Sequence, residues 1–436
     1  MRAFEASTLS FGICFLLSCC LLSSISIVKA QFDFGSTVYP VGQDPIDIVN
    51  ADLNGDSAFD LVVLNFDDSN LSVLMNDGTG HFVAGPNLNL GFEQSLFAPS
   101  RIAAGDFNND GLDDVAVVRP MLEDFFADGL VLIYTSNGDG TFGSPVDYEL
   151  GRLPVETTTA DLDHDGDEDL LVTNVESDQL SVLMNDDNGL LHQPTFVNTE
   201  ENPGEVVCGD VNGDKIVDVI VMSPPTNFFC VFIGNGDGTF EQPEYFLAGS
   251  GVAFSIDLGD IDGDSDLDLI DGSTTFIIVS ISRNNGLGDF TVDFNNMLNI
   301  LPAAVRLIDI DGDGLSEMII LTGSNINIYP NDAGEFGNPQ FLEIGSTAFA
   351  VQSGDYNLDG KTDLVSASAT GNTITVFLQG SSILLGDVNQ DGNIDLLDVA
   401  PFVELLVNGQ FQIEADINSD GGVDLLDVAL FVELLN

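Results

Sequence analysis

Between residues 45 and 380 the chain is a succession of short apolar runs broken by turns rich in Asp, Asn and Gly. Over 101–151 the runs are RIAAG, DVAVVR, LVLIYTS and SPVDYELG; over 205–248 they are EVVCG, DVIVMS, FFCVFIG and PEYFLA. Each run is strand-length and bounded by turn formers, so each stretch predicts four strands. The second strand of most groups is apolar without alternation (LVVL, VAVV, VIVM, MIIL), as a strand covered on both faces must be. Small four-stranded sheets packed face to face around an axis meet that demand, whereas a linear β-solenoid needs shorter, more regular rungs.

A polar loop precedes the second strand of every group and sets the period. The loops start at Asp52, Asp106, Asp161, Asp210, Asp260, Asp309 and Asp355, at intervals of 54, 55, 49, 50, 49 and 46 residues. Seven repeats of this length predict an all-β, seven-bladed β-propeller. The seventh group stops after ITVFLQG with no fourth strand, while FDFGSTVYPVG near residue 32 matches the fourth-strand segments TFGSPVDYELG and EFGNPQFLEIG. The N-terminal strand is therefore expected to close the last blade, leaving no open sheet edge.

Oxygen-bearing side chains occupy positions 1, 3, 5 and 9 of each loop. They are Asp52, Asn54, Asp56 and Asp60 in the first loop, and Asp106, Asn108, Asp110 and Asp114 in the second. The third has Asp161, Asp163, Asp165 and Asp169; the fourth has Asp210, Asn212, Asp214 and Asp218. Asp260, Asp262, Asp264 and Asp268 make the fifth, Asp309, Asp311, Asp313 and Glu317 the sixth, and Asp355, Asn357, Asp359 and Asp363 the seventh. Alternate residues of a tight loop point inward and converge. Two carboxylates about 4 Å apart repel by roughly 1 kcal/mol in water and about 4 kcal/mol at an effective dielectric near 20, so a set of three or four needs a counter-ion. Hard oxygen ligands on a flexible loop suit Ca²⁺ better than Mg²⁺, and paired His and Cys for zinc are missing. The same residues are also turn formers that can hydrogen-bond nearby backbone N–H groups without any ion; sevenfold recurrence favours the cation. Ser57, Lys215 and Ser265 replace Gly at position 6, where a left-handed turn is then harder, and Lys215 adds a positive charge. The first and fourth loops are expected to bind most weakly.

Charge agrees with a cationic partner. Lys plus Arg is 9 against 71 Asp plus Glu, a formal net charge of −62, which argues against nucleic acid and anionic membrane surfaces. Acidity outside the loops serves solvation or a salt-rich habitat. Arg2, the run FGICFLLSCCLLSSISIV and the ending VKA read as a signal peptide over residues 1–30, so the protein is expected to be secreted, extracellular or at the cell surface. No other segment approaches 18 uninterrupted apolar residues, and no membrane span is expected. Beyond residue 30 the only cysteines are Cys208 and Cys230, in the first and third strands of one group. Two strand spacings put them about 9.6 Å apart, beyond disulfide reach of about 7 Å, which predicts two buried free thiols.

Repeats of the form GD-x-[ND]-x-DG-x-x-D followed by NDGTGHF, SNGDGTF, GNGDGTF or NDAGEF resemble the FG-GAP, or VCBS, repeats of the integrin α-subunit propeller, over residues 31–380. The resemblance implies Ca²⁺ in the loops and a role in adhesion or ligand recognition, though some members are attached to enzymes.

After a linker at 381–386 the pattern changes. GDVNQDGNIDLLDVAPFVELL and ADINSDGGVDLLDVALFVELL are near-duplicates. Their oxygen side chains fall at positions 1, 3, 5, 9 and 12: Asp387, Asn389, Asp391, Asp395 and Asp398, then Asp416, Asn418, Asp420, Asp424 and Asp427, with Gly392 and Gly421 at position 6. These are twelve-residue Ca²⁺ loops leading into apolar helices, a small all-α, paired EF-hand-like domain over 387–436. Pro401 in the first helix makes it start late or kink. The pair resembles dockerin type I, which implies a cohesin-like partner module. Positions 10 and 11, commonly Ser or Thr facing cohesin in that family, are Leu396, Leu397, Leu425 and Leu426 here. Either a more hydrophobic mate or a face of the propeller itself would suit them.

With up to nine Ca²⁺ loops, the chain reads as a calcium-binding, non-catalytic binding or adhesion propeller tethered through its tail; an unknown extracellular protein or glycan is its ligand. The alternative is a dockerin-bearing extracellular polysaccharide-degrading enzyme, a glycoside hydrolase or lyase. Against it, no G-x-S-x-G elbow or H-E-x-x-H helix occurs, the three histidines are scattered, and there is no Trp. No residue is nominated as catalytic.

Overall fold

The computed structural model describes residues 32–91, 101–121, 127–185 and 191–380, with Val399 and Phe402. The chain divides into two compact units, Met1–Phe32 and Asp33–Asn436, and the second contains the elements below. The signal-peptide segment 1–30, the linker 381–386 and nearly all of the tail lie outside the described residues. Val399 and Phe402, in the first predicted tail helix, are helical.

Seven antiparallel sheets form a seven-bladed β-propeller. The innermost strands are Pro45–Ala51, Arg101–Gly105, Pro154–Ala160, Val206–Gly209, Ser255–Gly259, Ala304–Ile308 and Ala348–Gly354. Each polar loop leads from an innermost strand to the second strand of the same blade, and that second strand begins at loop position 9, as in Asp60–Asn65, Asp114–Arg119 and Glu317–Thr322. The expected four strands are present in every blade. In the first, the outer strand is split into Phe82–Ala84 and Leu88–Asn89, both paired with Asn70–Asn76. Closure is as the sequence implies: Phe34–Pro40 runs antiparallel to Thr373–Gln379, with Phe34 opposite Gln379 and Pro40 opposite Thr373.

The unbroken apolar second strands serve two interfaces at once. Leu61 and Val63 join Val365, Ile374 and Tyr356 in the core between the first and seventh blades. Val62 and Leu64 pack against Ile102, Val115 and Val117 of the second blade. Since successive side chains of a strand point to opposite faces, a strand sandwiched between neighbours must be apolar at every step. Loop position 2 belongs to the same cores: Leu53, Phe107, Leu162, Val211, Ile261, Ile310 and Tyr356 are all buried. An apolar side chain under an acidic rim anchors each loop to its blade, contributing roughly 1.5–3 kcal/mol apiece. Both described cysteines are free; Cys230 is buried, Cys208 only half-buried.

Candidate metal centre

Each loop is shaped by its own carboxylates. The position 1 side chain accepts backbone N–H groups from positions 4 to 6, as Asp52 does from Gly55 (2.7 Å) and Ser57 (2.8 Å), and Asp309 from Gly312 (2.8 Å) and Gly314 (2.9 Å). Position 5 accepts from position 7, as in Leu112 to Asp110 at 3.0 Å. This winding needs left-handed backbone at positions 4 and 6 in all seven loops. Ser57, Lys215 and Ser265 adopt it as Gly does elsewhere, at φ 69°, 72° and 72°. At position 4, Gly55 or Gly213 alternates with Asn109, His164 and Leu358, also at positive φ.

Position 9 does more than face the loop. In six of the loops one oxygen accepts the N–H of position 2, as Asp169 from Leu162 at 2.9 Å and Asp363 from Tyr356 at 2.9 Å; in the second loop Phe107 N–H goes to Gly105 O instead. The other accepts an N–H at or just beyond the end of the third strand, as Asp60 from Asn76 at 2.7 Å and Asp169 from Asn185 at 2.7 Å. Burial is the main cause that pushes Asp60, Asp218, Asp268 and Asp363 up to about 6, and Asp114 and Asp169 to about 7, with the N–H groups pulling the other way. Nearby loop carboxylates such as Asp52 and Asp56 raise it further.

Three loops bring three carboxylates to one point, with ligand oxygens within 4.8 Å of one another: Asp161, Asp163 and Asp169; Asp260, Asp262 and Asp264; Asp309, Asp311 and Glu317. In the other four loops position 3 is Asn, so no such carboxylate trio forms there among the described residues; Asn212 turns its Nδ2 to Asp214 at 3.0 Å and Asn108 its Nδ2 to Asp114 at 3.2 Å. The donor set fits a hard cation. Asp114 Oδ2 and Asp161 Oδ1 are buried oxygens without a protein hydrogen bond, as ligand oxygens directed at an ion would be. The tail positions Asp387, Asn389, Asp391, Asp395, Asp398, Asp416, Asn418, Asp420, Asp424 and Asp427 lie outside the described residues.

The residue at or just beyond the end of the third strand is the one that sequence reasoning overlooked. Asn76, Asn185, Asn284 and Asn331 give their backbone N–H to position 9 and their Nδ2 to the loop of the neighbouring blade: Asn76 to Tyr356 O (2.8 Å), Asn185 to Asp106 O (3.1 Å), Asn284 to Val211 O (2.8 Å), Asn331 to Ile261 O (2.7 Å). Ser136 reaches Leu53 O likewise at 2.9 Å. The signal was the first letter of NDGTGHF and its relatives. Five of the seven loops are thus pinned to a neighbouring blade; the fourth and seventh blades have Gly234 and Gln379 at this place, which meet position 9 through the backbone N–H.

The innermost strands surround a central cavity of about 400 Å³. Arg101 Nε lies 2.8 Å from Glu156 Oε2, and Arg306 Nη1 3.1 Å from Glu205 Oε1. Remaining carboxylate oxygens bind backbone of the next blade, Asp47 taking Ile102 N–H (2.9 Å), Glu205 Ile256 N–H (2.7 Å) and Asp257 Leu307 N–H (2.8 Å). Burial pushes Glu156 up to about 7 and Asp257 to about 6. Burial likewise pushes the Cys208 thiol up to about 12 and Cys230 to about 11, the reverse of what a nucleophile needs.

A family model described as FG-GAP-like repeat matches residues 52–117, 161–221, 210–270 and 309–366, more than half of the chain. A dockerin type I domain model matches 385–436. No curated protein matches the sequence. Among solved structures, the fold is similar to one described as the basis of specific recognition of non-reducing terminal N-acetylglucosamine by an Agrocybe aegerita lectin, with TM-score 0.52 and 18% identity, covering 78% of this chain and 96% of that one. It is also similar to BBS1N in complex with ARL6DN, with TM-score 0.57 and 13% identity, covering 80% and 97%. At these identities the likeness concerns the fold. No helix among the described residues is long and apolar enough to cross a membrane.

Proposed function

Because the chain belongs to the FG-GAP-like repeat family and carries a dockerin type I domain, we propose that it is an extracellular binding module, a propeller stiffened by Ca²⁺ and fastened by its tail to a cohesin-like partner. The observation that carries the calcium reading is the convergence of the position 1, 3 and 9 carboxylates in the third and sixth loops, Asp161, Asp163 and Asp169 in one and Asp309, Asp311 and Glu317 in the other. Positions 1, 3, 5 and 9 would hold the ion, with Asn54, Asn108, Asn212 and Asn357 offering a neutral oxygen where position 3 lacks charge. The bound cation would supply charge neutralisation and rigidity, and no reaction step. The chain's own groups set the rest: N–H donors hold position 9 in place, the position 2 side chain anchors the loop, and Asn76, Asn185, Asn284 and Asn331 tie four of the loops to the neighbouring blade.

A non-catalytic role is supported by the cavity, where the two arginines and four carboxylates are engaged with one another and with backbone. The lectin's sugar belongs to that protein, although a glycan remains one ligand class to screen here. Two experiments test the proposal. Calorimetric titration of the full chain with Ca²⁺ should show several ions bound per chain. Capture of the full chain on immobilised cohesin-like modules should depend on calcium and be abolished by removing 387–436. A chain that binds no calcium, or is captured equally without its tail, would refute the corresponding half.

A further inference from the structure

The fifth loop carries a counter-ion of its own. Arg283 lies near the end of the third strand Ile278–Asn284, and its guanidinium reaches into the loop. Nη1 is 2.8 Å from Asp268 Oδ2 at position 9 and 3.6 Å from Asp262 Oδ2 at position 3. Nε is 3.7 Å from Asp293 Oδ2, and Nη2 donates to the Gly334 carbonyl of the sixth blade at 3.4 Å. The Arg283 side chain is 19% exposed and that of Asp268 2%, so this pair meets away from bulk water, where screening is weak, while Asp262 stays partly in solvent. At the equivalent place, just before the residue whose N–H meets position 9, the other blades have Met75, Thr135, Met184, Ile233, Pro330 and Leu378. None is charged.

The converging oxygens shift to match. In the third and sixth loops position 9 joins positions 1 and 3, as Asp169 and Glu317. In the fifth the trio is Asp260, Asp262 and Asp264, and Asp268 is drawn instead to Arg283. The guanidinium brings a full positive charge and a fork of N–H donors into the loop. A divalent ion entering the loop would lack the position 9 carboxylate and sit beside a fixed like charge.

Resting on the calcium reading of the other loops, we infer that Arg283 takes the place of the metal in the fifth loop, which is set without calcium and binds it at least tenfold more weakly than the third and sixth loops do. The fifth blade and its junction with the sixth then keep their shape when calcium is withdrawn.

Hydrogen–deuterium exchange of the full chain, with calcium and after chelation, reads this loop by loop. Amides of 161–169 and 309–317 should lose protection on chelation while those of 260–268 keep theirs. Replacement by Arg283→Gln, or by Arg283→Met should the first variant unfold, should make 260–268 calcium-dependent and add one bound ion per chain by native mass spectrometry. The inference is overturned if the wild-type fifth loop loses protection together with the third and sixth, or if a folded neutral variant gains no ion. If none of the three loops responds to chelation, the calcium reading fails first and this inference falls with it.

Discussion

Asp169 combines a structural and a metal-binding duty, and Asp169→Asn separates them. Its two oxygens accept the N–H groups of Leu162 and Asn185, and it completes the carboxylate trio of the third loop. Burial pushes it up to about 7, opposed by those N–H groups and reinforced by Asp163 and Asp165. Against an unfolded value of about 4, the ionised form disfavours the metal-free fold by about 2–3 kcal/mol above pH 7 once solvent screening is discounted. The folded value is the raised one, so this group's contribution is fully present below about pH 4 and is lost as pH rises through 7. Asn carries no charge and keeps one oxygen acceptor, giving up one hydrogen bond to a charged group at about 1.5–3 kcal/mol. The two effects nearly offset. In chelator at about pH 7.5 the variant should lie within about 2 kcal/mol of wild type. In saturating calcium, a third site weakened about a hundredfold forfeits about 2.7 kcal/mol of mass-action stabilisation. Urea unfolding in the two buffers measures both numbers. A variant about 3 kcal/mol less stable in chelator that gains as much from calcium as wild type would refute the reasoning, because Asp169 would then be a purely structural acceptor.

The other expectations follow from the same contacts. In chelator, the six raised position 9 carboxylates should make the melting temperature climb as pH falls from 8 to about 5.5, while calcium should flatten or reverse the trend because protons compete for its ligands; differential scanning calorimetry reads both slopes. Asn284→Ala strips the donors that reach Val211 O and Leu267 O and leaves those carbonyls unpaired, a loss of about 2–3 kcal/mol in chemical denaturation. Leu358 is held at φ 57°, so Leu358→Asn should stabilise the chain by about 0.5–1 kcal/mol by the same assay. Deleting 34–40 exposes the edge of Thr373–Gln379 and should produce concentration-dependent association in analytical ultracentrifugation.

The blades and their closure were legible because their causes are local or periodic. Apolar second strands such as VAVV declare both faces buried, and FDFGSTVYPVG matches the fourth-strand segments of other repeats in a chain whose last repeat lacks one. The loops were legible from Asp and Asn at alternate positions. What stayed hidden depends on tertiary reach. Nothing in RNNGLG announces that Arg283 turns into its own blade's loop, nor that Asp268 divides its oxygens between two backbone N–H groups and that guanidinium. Position 9 reads as a ligand in the sequence, yet half of its work is to tie strands together. The pairing of Arg101 and Arg306 with Glu156 and Glu205 was invisible for the same reason: strand pattern does not say which residues of different blades meet across the axis. Ser57, Lys215 and Ser265 looked unsuited to a left-handed turn, but the N–H groups of all three are captured by the position 1 carboxylate, which offsets the strain.

The most direct measurement is the melting temperature of the purified full chain across free calcium concentrations from chelator to saturation, with bound metal counted at each step. Rising stability in step with ions taken up, and a drop of well over about 10 °C in chelator, is the expected result. A propeller that melts at one temperature throughout, and carries no metal at any step, would contradict it.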